Sequence, residues 1–557
     1  MENRRSQFAV KLLPSLADFA FLMPNVFLFA RMDGVKTLLS DCDTGWHIRT
    51  GEWIVANHGV PARDIFSYSR AGDAWYAWEW LSDVLFAWLN SRGGLAAIVL
   101  LGILLIAVTF MLLFRLARRR SNAIVALVVT MVAAAASSVH WLARPHLFTL
   151  FFLVLFFGAL ERVREGRTRL AGVPYLALLP VATILWTNLH GGFFVGILTI
   201  AAYGGGELLK MALSADRGER RQAGKRAGRY FLCASACLAA SLANPYFYRL
   251  HLHVWQYVCD PFQSQHIMEF LTLSFHHPAA IFFEAMLATS AAAAFWYVSK
   301  GRFTEPLLLL IWGHAALLAA RNIPIFMIAA APLVAGAVEE WLARLPELPV
   351  AEWLRRAARK FNAVAAETSG TDEIARWHVA SVAGALMVAA LLYAPSPPKA
   401  FRAEFDPKSY PAGAIETLRR DASARIFTFD QWGDYLIYRL YPRTKVFVDG
   451  RSDFYGDDFE EKCIAVLNVK YDWEKTLAGF GVDTILLPPS APLAGALKES
   501  SRWRVVYDDG VALVFRSAHK TAGESISAAT GGGTGRDREV TKTEARDRAI
   551  AKTKPIT

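Results

Sequence analysis

The stretch LLSDCDTGWHIRTGEWIV, residues 38–55, decides how the chain is read. It closes the first long apolar segment and at once presents Asp41, Asp43 and His47. Whether these groups serve a reaction or only a turn depends on which side of a membrane they face, so topology comes first. Of the 557 residues, 54% are hydrophobic, too many for a soluble chain of this size, and they come in blocks. A bilayer core of about 30 Å needs roughly 20 apolar residues per helix. Blocks near that length predict spans over 14–38, 94–114, 122–140, 146–160, 171–188, 193–213, 230–243, 279–298, 305–320, 323–340 and 377–394. The chain reads as a mostly α, polytopic transmembrane helical bundle of about 11 spans. ENRRSQFAVK leads into the first block without a small-residue cleavage site, so that block reads as a span and not as a signal peptide.

The net charge of +11 collects in short runs between blocks, such as RLARRR (115–120), ERVREGRTR (161–169) and DRGERRQAGKRAGR (216–229). That is the pattern of cytoplasmic loops, and it reports orientation, not a nucleic-acid partner. It places the N-terminus inside and residues 395 onward outside. Five cysteines, Cys42, Cys233, Cys237, Cys259 and Cys463, form no spaced framework of the kind that a disulfide scaffold or zinc ribbon needs.

The expected domains are a transmembrane part over 1–394, an external α/β domain over 395–519, and a tail over 520–557 too poor in apolar residues to fold. Within the first part, 39–93 reads as an external loop with interfacial helices, rich in tryptophan. Residues 244–278 read as a second long external loop. From residue 401 the pattern changes. RIFTF, KVFVDGR and DTILLPP read as short strands, DQWGDYLIYRLY as an amphipathic helix, and WRVVYDDGVALVFR as a hairpin.

On this topology the polar residues near the membrane all face outward. Asp41, Asp43 and His47 follow the first span; Arg144 and His146 (HWLARPHLF) join the third to the fourth. Asn188 and His190 (WTNLHGGF) lie between the fifth and sixth, and Arg321 (AARNIPIF) between the ninth and tenth. Glu269, in the second long loop, is a further carboxylate. Ionised groups at membrane depth cost about 2.5–3.5 kcal/mol each on insertion scales and usually mark a site. Carboxylates can take a proton from an attacking hydroxyl, and arginine binds phosphate oxygens with two parallel donors. The set therefore suits displacement at a sugar carbon with a lipid-linked phosphate leaving. Simpler readings exist for each member: Asp41 or Asp43 as a helix N-cap, the arginines as structural counter-ions, His190 as a packed turn residue.

Here the chain resembles the GT-C-type polytopic glycosyltransferases, with Asp41-Cys42-Asp43 as the acidic motif of the first external loop. It is similar over nearly its whole length to a group of bacterial multi-span membrane proteins that share the DTGWHIRTGEWI, VPARDIFSYS, WEWLSD, ARPHLFTL, NLHGGFFVG, NPY and RNIPIF stretches. The resemblance implies a multi-pass protein of the bacterial inner membrane with a periplasmic C-terminal domain. It implies transfer of a sugar from a polyprenyl-phosphate donor to a glycan, lipid or protein acceptor. Asp43 or Asp41 would be the base, with Asp43 preferred. His47, Arg144, His146, Asn188, His190, Arg321 and Glu269 would bind donor phosphate or substrate. Asp41, Asp43 and a further Glu would be the place for Mg²⁺ or Mn²⁺, which some members of the class use and others do not. The competing readings are a non-catalytic assembly protein for envelope polysaccharide and a transporter or ligase of lipid-linked glycan. Transporters tend to hold ionisable groups near mid-bilayer. In VFVDGRSDFYG, Asp449 and Arg451 read as a loop-stabilising pair or as an acceptor contact.

Overall fold

The computed structural model describes residues 11–374 and 376–518; the expected tail over 520–557 lies outside the described residues. Six helices are long and apolar enough to cross a membrane: Trp80–Ala117, Ala123–His140, His146–Arg164, Phe193–Leu213, Ala280–Ser299 and Ala320–Glu347. Three shorter apolar helices, Tyr175–Leu189, Thr304–Leu318 and Val379–Leu392, accompany them. The chain is a multi-pass, mostly helical membrane protein. Length and composition do not support eleven spans among the described residues.

Two expected spans change character for a local reason. The segment over 230–243 is the end of one continuous helix, Arg217–Ala240, started by Asp216, whose side chain takes the Gly218 and Glu219 N–H groups. The basic run read as a loop is rich in Arg, Lys and Ala, good helix formers, and continues straight into the apolar half. The span expected from residue 94 belongs to a helix that starts at Trp80 and bends where Gly93 and Gly94 leave helical geometry, Gly94 at φ 61°. This bend lets the first turn, Trp80–Asp83, belong to the site while the rest spans.

The centre of the bundle is the helix Ile323–Arg344, in which every residue from 323 to 337 is buried. A helix apolar all round belongs in the middle of a bundle. Against the site end lies the helix Asp43–Asn57, formed by DTGWHIRTGEWIVAN. It approaches the Trp80 helix through Gly51, where a Cβ would stand 1.9 Å from the Asp83 carbonyl oxygen.

Beyond residue 395 the chain builds a four-stranded sheet from β1 (Ile426–Phe427), β2 (Thr484–Leu487), β3 (Trp503–Asp508) and β4 (Leu513–Ser517), in the order β1-β2-β4-β3. β1 and β2 run parallel and the remaining pairs antiparallel. KVFVDGR, expected as a strand, makes only isolated parallel bridges, from Val446 to Ile426 and to Ser67. Its backbone is shared with the first loop: the Val446 N–H donates to the Phe66 carbonyl and the Tyr68 N–H to the Val446 carbonyl. The sheet is thereby stitched to residues 66–68. The amphipathic helix Asp430–Leu440 packs on the Asp43 helix at Gly45, where a Cβ would meet that of Tyr438 at 2.7 Å, and Arg49 Nε donates to the Tyr438 carbonyl at 2.9 Å.

Candidate functional site

Five of the residues singled out in the sequence meet in one ionic chain. Arg144 sits in the turn before the helix His146–Arg164 and reaches Asp41 Oδ2 at 2.8 Å and Asp43 Oδ2 at 2.7 Å. Its Nη1 also lies 3.5 Å from Glu269 Oε2, and Glu269 Oε1 lies 3.1 Å from Arg321 Nη1. Arg321 is laid over the Phe270 ring at 4.4 Å and bonds the Tyr257 hydroxyl at 3.3 Å. Asp41 Oδ1 accepts the Asp43 N–H at 2.7 Å, so the acidic motif closes on itself at the helix start. The side chains of Asp41, Arg144, Glu269 and Arg321 keep 17–22% of their exposure, so the chain opens to solvent on one side.

Electrostatics divides the carboxylates. Burial alone would raise Glu269, but Arg321 and Arg144 hold it down to about 2. Asp43 goes the other way: burial pushes its carboxyl up, and Arg144 offsets only part of that while Asp41 adds to it.

Behind this chain lies a second one, largely unread from the sequence. His47 Nδ1 lies 2.6 Å from Asp83 Oδ1, and its Nε2 lies 3.4 Å from Glu79 Oε2. Glu79 Oε1 lies 3.2 Å from His190 Nε2, and His190 Nδ1 lies 2.7 Å from Thr149 Oγ1. The Gly192 N–H donates to His190 Nδ1 at 2.9 Å, so Nδ1 is the acceptor nitrogen and Nε2 carries the hydrogen given to Glu79. Burial lifts Glu79 to about 8, against Arg144 and Arg321, and lowers His190 to about 3, with Arg321 and Arg144 adding to the fall. His47 and His190 therefore stand behind the ionic chain, joined through Glu79. Glu79 and Asp83 were missed although WEWLSD (78–83) spaces them four apart, on one helix face.

Two expected site residues do other work. His146 is buried, with Nε2 bonded to the His140 carbonyl at 3.0 Å. Its partner His140 is the residue that approaches Glu269, at 3.8 Å. Asn188 accepts the Trp80 indole N–H at 2.7 Å and donates to the carbonyls of Ile184 and Ala243 at 2.8 Å, tying three helix ends together. In the C-terminal part, Arg451 bonds Asp449 and Asp64 at 2.7 Å and lies among the Phe66, Trp75 and Phe454 rings. It fastens the first loop to the sheet.

The donor set does not fit the expected divalent cation. Arg144 occupies the space between Asp41 and Asp43 and binds one oxygen of each, while Glu269 is taken by the two arginines. Among the described residues no group of three or more His, Cys, Asp or Glu side chains is arranged to hold a metal.

This architecture recurs in solved structures. The apo oligosaccharyltransferase of Archaeoglobus fulgidus superposes with a TM-score of 0.54 at 13% identity, covering 85% of this chain and 69% of that one. The fold is of the GT-C type. The same archaeal enzyme, AglB, in complex with an inhibitory peptide and a dolichol-phosphate gives 0.53 at 12% identity, over 90% and 74% of the two chains. Its form tethered to an acceptor peptide containing the NVT sequon gives 0.52 at 12% identity, over 85% and 68%. No protein-family model and no curated protein matches the sequence. At this identity the likeness carries the GT-C fold and not the residue roles, which rest on the geometry above.

Proposed function

We propose that the protein transfers a sugar from a polyprenyl-phosphate-linked donor to an acceptor at the face of the membrane opposite its basic loops, the periplasmic face of an inner-membrane protein. The observation that carries this reading is the Asp41/Asp43–Arg144–Glu269–Arg321 chain at one end of a GT-C-type bundle. Carboxylates and guanidinium groups alternate there, beside helices that a lipid tail can follow.

In such a site Asp43 accepts the proton of the attacking acceptor hydroxyl. Arg144 and Arg321 meet the negative charge that develops on the departing phosphate, exchanging carboxylate oxygens for phosphate oxygens. The Asp–Arg pairs hold the guanidinium planes in place until the donor arrives. The dolichol-phosphate complex of the archaeal enzyme of like fold supports a lipid-phosphate donor.

The test compares cells that carry the wild-type protein, the Asp43→Asn variant or no protein. Asp43→Asn present in the membrane at normal amount accumulates lipid-linked sugar and loses the corresponding surface glycan. Full glycan output from this variant refutes the assignment of the base.

A further inference from the structure

The end of the bundle opposite the site holds a cavity of about 380 Å³. Arg115, Arg118 and Arg119 line it from the close of the Trp80 helix and the turn after it, and Arg376 and His378 from the segment that leads into the helix Val379–Leu392. Its volume lies within the range of small-molecule sites, about 300–1,000 Å³. Two carboxylates line it as well, Asp372 and Glu373. Asp372 Oδ1 is taken by the Leu16 N–H at 2.8 Å, and Glu373 comes no nearer to Arg118 than 3.8 Å.

Arg115 and Arg118 are held by neutral partners, which fix a guanidinium without cancelling its charge. Arg115 Nη2 lies 2.7 Å from His378 Nε2, and His378 Nδ1 lies 3.2 Å from Asp18 Oδ1. A guanidinium has only donors, so Nε2 accepts and Nδ1 carries the hydrogen given to Asp18. Asp18 is buried and takes the Ser381 hydroxyl at 2.5 Å and the Ser15 N–H at 2.8 Å. Arg118 donates to the carbonyls of Ser121 at 3.0 Å and Ser369 at 3.4 Å. Their neighbours along the chain differ: Arg119 has Glu165 at 3.1 Å, and Arg120 has Glu161 and Glu305. The cavity therefore presents positive charge that the surrounding carboxylates do not absorb.

It also borders exposed hydrocarbon. The helices Leu16–Arg31 and Val379–Leu392, joined by the Asp18–Ser381 bond, expose Phe19, Val382 and Leu386. Trp377, between two lining residues, is exposed too. Tryptophan beside basic residues at a helix end marks the headgroup level of a bilayer. An anion with apolar chains covers those side chains, whereas a free anion leaves them bare. We propose that the cavity binds the phosphate diester of an anionic phospholipid, from the leaflet on the side of the basic loops. Arg115 and Arg118 meet its oxygens, and its acyl chains run along the two helices. Uncancelled guanidinium charge favours a headgroup of net negative charge over one that brings its own ammonium. Such a lipid bridges the helix that leads toward Asp41 and Asp43 to the helix that leads into the C-terminal domain.

The experiment is a thermal-shift titration of the purified full-length protein in neutral detergent, followed by tryptophan fluorescence. The additions are dioleoyl phosphatidylglycerol, dioleoyl phosphatidylcholine and sodium phosphate, for the wild type and the Arg115→Gln, Arg118→Gln and Arg356→Gln variants. Phosphatidylglycerol is expected to raise Tm saturably, and the other two at the same concentration are not. Arg115→Gln and Arg118→Gln should each need about tenfold more phosphatidylglycerol for half the shift, as loss of a charge-assisted hydrogen bond implies. Arg356, exposed and paired with Glu352 outside the cavity, is the control, and Arg356→Gln should leave the midpoint in place. Native mass spectrometry of the same samples reads binding apart from stability, with one more phosphatidylglycerol retained by the wild type than by Arg115→Gln. An equal shift with sodium phosphate means a site for soluble phosphate and overturns the lipid. An equal shift with phosphatidylcholine overturns the selection for negative charge. Equal weakening by Arg356→Gln means diffuse attraction to the whole basic face and overturns the cavity, as does equal lipid retention by Arg115→Gln.

Discussion

Replacing Glu79 with glutamine tests the hydrogen-bond chain behind the site with a number attached. Glu79 lies between two imidazole nitrogens, His47 Nε2 at 3.4 Å and His190 Nε2 at 3.2 Å, and burial lifts it from 4.5 to about 8. His190 donates to one oxygen. Asp83, 2.6 Å from His47 Nδ1, takes the hydrogen of that nitrogen, which leaves His47 Nε2 to accept from Glu79. With His47 in that tautomer, both links of Glu79 are made only when it is a neutral acid. Because its folded value lies above its unfolded one, the stabilisation is complete below pH 4.5 and is lost as the pH rises through about 8. At about 1.4 kcal/mol per unit, the wild type loses on the order of 5 kcal/mol from this group across that window. Glutamine keeps one donor and one acceptor and does not titrate. The expected result is that thermal unfolding of purified protein, followed by tryptophan fluorescence, shows a fall in Tm from pH 5 to pH 8.5 that is steeper for the wild type than for Glu79→Gln. The two variants are most alike at pH 5. Parallel curves would refute the protonated state of Glu79 and the tautomers assigned to both histidines.

Other perturbations act on neighbouring parts. Arg144→Met leaves Asp41, Asp43 and Glu269 without their common partner and is expected to cost about 3–5 kcal/mol in denaturant unfolding, the range for an orphaned buried charge. Arg144→Lys recovers only part of that stability and none of the glycan output, because one ammonium cannot reach two carboxylates with parallel donors. Arg451→Met is expected to destabilise the protein by a similar amount and to open the first loop and the 446–456 segment to limited proteolysis together, since its guanidinium joins Asp64 to Asp449. Gly51→Ala places a methyl group 1.9 Å from the Asp83 carbonyl oxygen, a backbone atom that cannot rotate away. A loss of about 1–3 kcal/mol and reduced amounts in the membrane are expected, measured by thermal shift and immunoblot.

The two ends of the bundle differ in what their charges do. At the end opposite the site, Arg120 pairs with Glu161 and Glu305, Arg164 with the same two glutamates, and Arg302 with Glu305 and Glu340. Three guanidinium groups are shared there among three carboxylates. At the site end, three carboxylates share Arg144, and Asp43 and Asp434 keep an oxygen without a donor. Glu305 Oε2 is also buried without a donor at the far end, so the two ends differ in their balance of charge: cations match carboxylates there and fall short of them at the site, which leaves carboxylates for a proton or a substrate.

The sequence by itself determined the helical membrane character, the start of a helix at Asp43, the amphipathic helix at 430–440 and the hairpin over 503–517. Each of these is written within a few residues, by apolar run length, by period and by turn chemistry. It also picked out Asp41, Asp43, Arg144, Glu269 and Arg321, because an ionised group beside an apolar block is conspicuous wherever it falls. Only the tertiary structure decided which of these touch. Arg144 and Asp41 are 103 residues apart, and their contact depends on how the helices stack. The fold also separated roles that look alike in sequence: Asn188 ties helix ends, His146 packs against a carbonyl, and His47 stands behind the ionic chain with Glu79. Asp434 sits in an ordinary amphipathic helix, and nothing in DQWGDYLIYRLY points to Gly450, where a Cβ would stand 2.6 Å from Asp434 Oδ2 and 2.6 Å from Asp43 Oδ1. Run length and periodicity are local properties of a chain, whereas the meeting of two carboxyls at a glycine is a property of packed surfaces, which only the folded molecule possesses.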